Sequence, residues 1–128
     1  MPAYENELFP VQPAPFARVT LRNPASGATV ADIPMLIDSG ADATLLPQTA
    51  VERIGATPDP ESVYELQAFD GTRSIAHAVH LDLLFLHRSF KGRFLLINQE
   101  WGILGRDVLN NLAIVMDGSR LAWEELRR

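Results

Sequence analysis

The chain has 128 residues, enough to bury one core and too few for two independent ones. Its 47% hydrophobic and 21% charged residues are ordinary for a soluble globular protein. The net charge of −5 speaks against nucleic acid or an anionic membrane as partner. The absence of cysteine excludes disulfides, thiolate catalysis and cysteine-ligated metal.

Residues 1–15 contain Pro2, Pro10, Pro13 and Pro15 and are expected to form a flexible arm ahead of a single domain over residues 16–128. "MPAYENELFP" lacks the basic and apolar regions of a signal peptide, and no apolar run is long enough to span a bilayer. A cytoplasmic location is the expectation. From Phe16 the pattern is two-fold: Ala17, Val19 and Leu21 alternate with Arg18, Thr20 and Arg22, as in a half-buried strand. "NPASG" has turn chemistry, and Thr29–Ile37 returns as a strand whose last residues are apolar on both faces.

After "DSG" (Asp38–Gly40), the segment "PQTAVERIG" reads as a short helix between Pro47 and Gly55. "TPDPES" reads as a loop. "YELQAFDGTRSIAHAVHLDLLFL" reads as a hairpin turning at Asp70-Gly71, with Ile75, His77, Val79, Leu81, Leu83 and Phe85 on one face. Arg93–Ile97 is a further buried strand, "GRDVLNNL" a short helix, and "AIVMDGSRLAWEEL" a second hairpin around Asp117-Gly118.

Asp38 stands at the end of the apolar run "MLI" and is followed at once by a small-residue turn. A carboxylate carried into apolar surroundings is costly unless hydrogen-bonded or paired. Two such carboxylates a few ångströms apart hold one proton between them, so that one oxygen accepts a proton while another donates. The histidines offer no metal alternative. His77 and His80 point to opposite faces of a strand, and His87 lies beyond it with no carboxylate at ligand spacing. His77 reads as a core histidine and His80 as solvent-facing. Trp123 reads as filling for the core or a dimer interface, and Asp107 as an ordinary first-turn carboxylate.

"LIDSGADATLLP", followed at a distance by "GILGRDVL", resembles the retroviral-type aspartic proteases (retropepsins) and their single-domain cellular relatives. The resemblance runs from about Phe16 to the C-terminus. It implies a mainly β fold: a closed retropepsin-like barrel with a flap hairpin and one or two short helices. It also implies an aspartic endopeptidase with Asp38 catalytic, Ser39 locking two active-site loops together across a dimer, and Gly40 touching the substrate backbone. Asp42 would bind the substrate main chain and form a partly buried ion pair with Arg106. Leu36, Ile103 and Trp101 would line side-chain pockets, and Phe69, Asp70 and Gly71 would stand at the flap tip, where viral relatives are glycine-rich.

The chain has one D-S-G, whereas pepsin-like enzymes supply two aspartates from two lobes. The resemblance therefore implies a homodimer acting on a polypeptide, with no metal or organic cofactor. The alternative is a catalytically silent module of the same fold that binds peptides or dimerises. A more distant one is an unrelated β-barrel binding protein.

Overall fold

The computed structural model describes residues 2, 13–67 and 70–126. Most of the expected N-terminal arm lies outside the described residues, and so does Phe69. Strands β1 (Phe16–Arg22) and β2 (Thr29–Ile37) form an antiparallel hairpin with Ala17, Val19 and Leu21 in the core. Asn23 closes its turn, donating its N–H to the Ala28 carbonyl and accepting the Ala25 N–H on its side chain. β3 (Leu45–Pro47) then leads into α1 (Gln48–Arg53), which buries Ala50 and Val51. That helix gives way at Gly55, whose φ of 67° suits glycine.

β4 (Asp59–Gln67) and β5 (Arg73–Phe85) form a long hairpin, and β6 (Arg88–Ile97) runs back along β5. β7 (Gly102–Leu104), α2 (Arg106–Leu109) and a final hairpin of β8 (Ile114–Asp117) and β9 (Ala122–Glu125) complete the chain. The large sheet has the order β1-β2-β7-β3-β6-β5-β4, and a further pairing of β1 with β5 closes six of these strands into a barrel. β4 stays outside the ring, so the β4–β5 hairpin projects from its wall. Among the described residues no helix is long and apolar enough to cross a membrane.

Leu21, Met35, Leu46, Leu81, Leu83 and Leu104 are fully buried inside the barrel. Each such burial stabilises the fold by roughly 1.5–3 kcal/mol relative to exposure. Trp123 caps one end: it packs on Phe85 with ring centroids 5.8 Å apart and donates its indole N–H to the Phe16 carbonyl at 2.9 Å. Of its two expected roles it fills the core.

The structure corrects the sequence reading of β5. Val79, Leu81, Leu83 and Phe85 are buried, but Ile75 is 71% exposed and His77 is also exposed, so His77 is not a core histidine. These residues share one side of the strand, yet beyond Val79 that side leaves the barrel and faces solvent. Burial moves to the other side, where Ala76 and Ala78 pack with Leu95, Leu66, Ala43 and Leu45. Asp59–Ser62, read as loop, already belong to β4. Asp59 accepts the Glu61 N–H and the Ser62 hydroxyl, bonds that hold its carboxyl below the usual range.

One buried charge escaped the sequence reading. Asp82 on β5 is only 4% exposed and sits opposite Arg22 of β1, which donates Nε and Nη2 to its Oδ2 at 3.0 and 2.9 Å. The pair straddles the β1–β5 seam that closes the barrel.

Candidate active site

The site grows from the end of β2. β2 and β7 run parallel, pairing Met35 with Gly102, Leu36 with Ile103 and Ile37 with Leu104. One residue further on, the Asp38 N–H donates to the Leu104 carbonyl at 3.1 Å. The chain then turns, the Ala41 N–H donating to the Asp38 carbonyl at 3.1 Å. Asp38 Oδ1 accepts the Gly40 N–H at 2.9 Å, which fixes the half-buried carboxylate at the mouth of the loop. A Cβ at Gly40 would stand 3.2 Å from that same oxygen. Ser39 and Gly40 are exposed.

The loop is held from behind by the segment that opens α2. Arg106 donates its backbone N–H to the Ala41 carbonyl at 2.9 Å and its Nη1 to the Ser39 carbonyl at 2.9 Å. Its Nη2 pairs with Asp42 Oδ1. A cation at a helix start is poorly placed for the helix dipole, and these bonds account for its being there. The pair is more open than expected, with side chains 42% exposed at Arg106 and 88% at Asp42. An ion pair that exposed contributes no more than about 1 kcal/mol, so the guanidinium acts mainly through its grip on the loop backbone.

Thr44 and Asp107 make a deeper tie that sequence reasoning missed. Thr44 is fully buried. Its hydroxyl donates to Asp107 Oδ1 at 2.6 Å and accepts the Gly105 N–H at 3.1 Å, while its own N–H donates to Asp107 Oδ2 at 3.1 Å. Asp107 also accepts the Val108 N–H at 2.9 Å. It is therefore more than an ordinary first-turn carboxylate: it bolts the Asp38 loop to α2. The available signal was a lone hydroxyl residue in the apolar run "ATLLP", since a buried hydroxyl needs a partner.

Close backbone approach makes two glycines necessary. A Cβ on Gly102 would lie 2.4 Å from the Leu45 carbonyl oxygen and 2.5 Å from Met35 Sδ. One on Gly105 would lie 2.5 Å from the Ala43 carbonyl.

Leu36, Ile103 and Leu45 are half-buried and lie side by side across β2, β7 and β3, an apolar row next to the loop. Trp101 packs edge-on against Phe16, the cross-strand partner of Leu36, with ring centroids 5.6 Å apart. Asp70 and Gly71 stand at the tip of the β4–β5 hairpin, with Gly71 at φ 86°. Asp70 accepts the Thr72 N–H at 2.8 Å; the Thr72 hydroxyl and that N–H hold its carboxyl below the usual range. The hairpin's packed face, Leu66, Ala76 and Ala78, rests against Ala43 and Leu45 just after the loop. Among the described residues no group of three or more His, Asp or Glu is arranged to hold a metal ion.

The geometry joins one oriented carboxylate, an apolar row and an overhanging hairpin. The fold aligns with that of the EIAV protease solved in complex with the inhibitor HBY-793. The TM-score is 0.58 at 19% identity, over 80% of this chain and 91% of that one. No curated protein matches the chain. The family model described as aspartyl protease matches residues 20–108, a span that holds the loop, the hairpin and the segment behind them, and the chain belongs to that family.

Proposed function

We propose that the protein is an aspartic endopeptidase that works as a symmetric homodimer, each subunit contributing Asp38 to a shared centre. The observation that carries this reading is the Asp38 loop. Its carboxylate is aligned by Gly40 and its backbone is fixed by Arg106, yet it opens toward solvent rather than into its own core. A single carboxylate cannot both take a proton from water and give one to a carbonyl oxygen, whereas two sharing a proton can.

In this reading a peptide lies extended between the hairpins and the loops, adding as a strand. The ionised Asp38 takes a proton from water, whose oxygen bonds to the scissile carbonyl carbon. The other Asp38, protonated, gives its proton to the carbonyl oxygen. On collapse of the tetrahedral intermediate the C–N bond breaks and the carbonyl re-forms. One hydroxyl returns its proton to the ionised Asp38 while the nitrogen takes the proton of the other Asp38, which leaves the pair with one proton again. Ser39 ties the loops across the two-fold axis, Gly40 and Asp42 hold the substrate main chain, and Leu36, Ile103 and Trp101 receive its side chains. Asp70 and Gly71 close over it. Because the pair must hold a single proton, the pH profile is bell-shaped.

The test is digestion of a peptide library by wild type and Asp38→Asn, read by mass spectrometry, with sedimentation of both. Cleavage should fall by roughly a hundredfold or more in the variant while both sediment as dimers. A monomer at all concentrations would overturn the reading. Binding of peptides without cleavage by wild type would replace it with the silent module.

A further inference from the structure

The hairpin is gripped at its base by polar side chains that the proposed reaction does not use. His80 and Arg93 stand directly opposite each other on β5 and β6 of the barrel wall. Arg93 donates Nε to His80 Nε2 at 3.1 Å and Nη1 to the Tyr64 hydroxyl of β4 at 3.2 Å. One guanidinium thus bridges the wall and the outer strand of the hairpin. A guanidinium only donates, so the imidazole must offer a lone pair at Nε2, and this bond exists only while His80 is neutral. Protonation replaces it with two like charges in contact.

Other groups on this outer face decide where a proton on His80 would lead. β5 carries Asp82, already held by Arg22 of β1, and β6 carries Lys91 opposite Asp82. β4 carries Tyr64 and Asp59. The Asp59 carboxyl is held below the usual range chiefly by the Glu61 N–H and the Ser62 hydroxyl, with smaller pulls from Arg93 and His80. It is therefore ionised in mild acid and is the natural partner for a histidinium.

We propose that Arg93 positions the hairpin and that the protonation state of His80 sets its grip. With the imidazole neutral, Arg93 is aimed at Tyr64 and β4 is held to the wall. With it protonated, Arg93 is displaced from Tyr64 and His80 turns to Asp59, so only the first residue of β4 stays tied to the wall and the strand around Tyr64 loosens. The effect on peptide binding rests on the endopeptidase reading, but the grip itself does not.

The experiment is amide hydrogen exchange on the full chain carrying Asp38→Asn, at about pH 7.5 and about pH 5.5, the interval in which histidines commonly change charge, corrected for intrinsic rates. Amides of residues 63–67 should exchange roughly two- to fivefold faster in acid, the scale of one lost exposed hydrogen bond. His80→Gln, whose amide oxygen accepts from Arg93 at either pH, should abolish the difference. Arg93→Met should give the faster rate at both. A parental pH response in His80→Gln, or unchanged protection in Arg93→Met, would overturn the proposal. In the active protein, acid should raise KM for peptides in wild type more than in His80→Gln, with kcat moving alike in both. An exchange response without any cleavage would sink the endopeptidase reading and leave the grip standing.

Discussion

Replacing Thr44 with valine keeps the shape of a fully buried side chain and removes only its hydroxyl. That hydroxyl makes two bonds, a 2.6 Å donation to the Asp107 carboxylate and a 3.1 Å acceptance from the Gly105 N–H. A hydrogen bond to a charged group contributes about 1.5–3 kcal/mol, and a buried N–H left without a partner costs about 1–3 kcal/mol. The Thr44 N–H keeps its bond to Asp107 Oδ2, so part of the tie survives and the two losses do not simply add. Thr44→Val should therefore lose about 3 kcal/mol, a drop in Tm of roughly 10 °C for a domain of this size. Thr44→Ser keeps both bonds and gives up one methyl, about 1 kcal/mol. Urea unfolding at one fixed protein concentration reads both, since association would otherwise shift the midpoint. If Thr44→Val unfolds within about 0.5 kcal/mol of wild type, or no lower than Thr44→Ser, the bolt between loop and helix is not energetic.

Gly102→Ala forces a methyl against the Leu45 carbonyl and the Met35 sulfur, and should lower stability by about 1–3 kcal/mol in the same assay. The two-residue turn from β5 to β6 places Leu86 and His87 at positive φ, 52° and 61°. His87 is exposed whereas Leu86 packs against the core, so His87→Gly relieves the turn without losing packing and should raise stability by about 0.5–1 kcal/mol. Thr72→Val removes the hydroxyl that is the largest pull on Asp70, so the Asp70 carboxyl should titrate at higher pH by NMR. The sign follows from linkage: a depressed carboxyl favours the native turn above its ordinary range and loses that contribution as pH falls through its folded value. The variant should lose less on acidification.

Much of the fold was legible because local pattern and tertiary environment agreed. The alternation in β1, the Pro47 and Gly55 that bracket α1, and the two Asp-Gly turns each place an element by short-range chemistry. Alternation failed at Ile75 and His77 because it tells which residues share a face, not what lies opposite that face. The turn at Leu86-His87 was hidden because neither residue is a turn former, and Asp59–Ser62 read as loop because two prolines and acids mask an outer strand. Arg22 and Asp82 meet only because the barrel closes. In the candidate site, Asp38 and Arg106 stood out through the motifs around them. Thr44 and Asp107 did not, since a hydrogen bond between residues 63 apart leaves no trace in local periodicity.

The bolting of the loop to α2 bears on how a second subunit would be met. Because Arg106, Thr44 and Asp107 fix the loop from within its own chain, each subunit of the proposed dimer would be a finished half before encounter. Association would then resemble rigid docking, with no ordering entropy of the loop subtracted from the free energy of forming the interface.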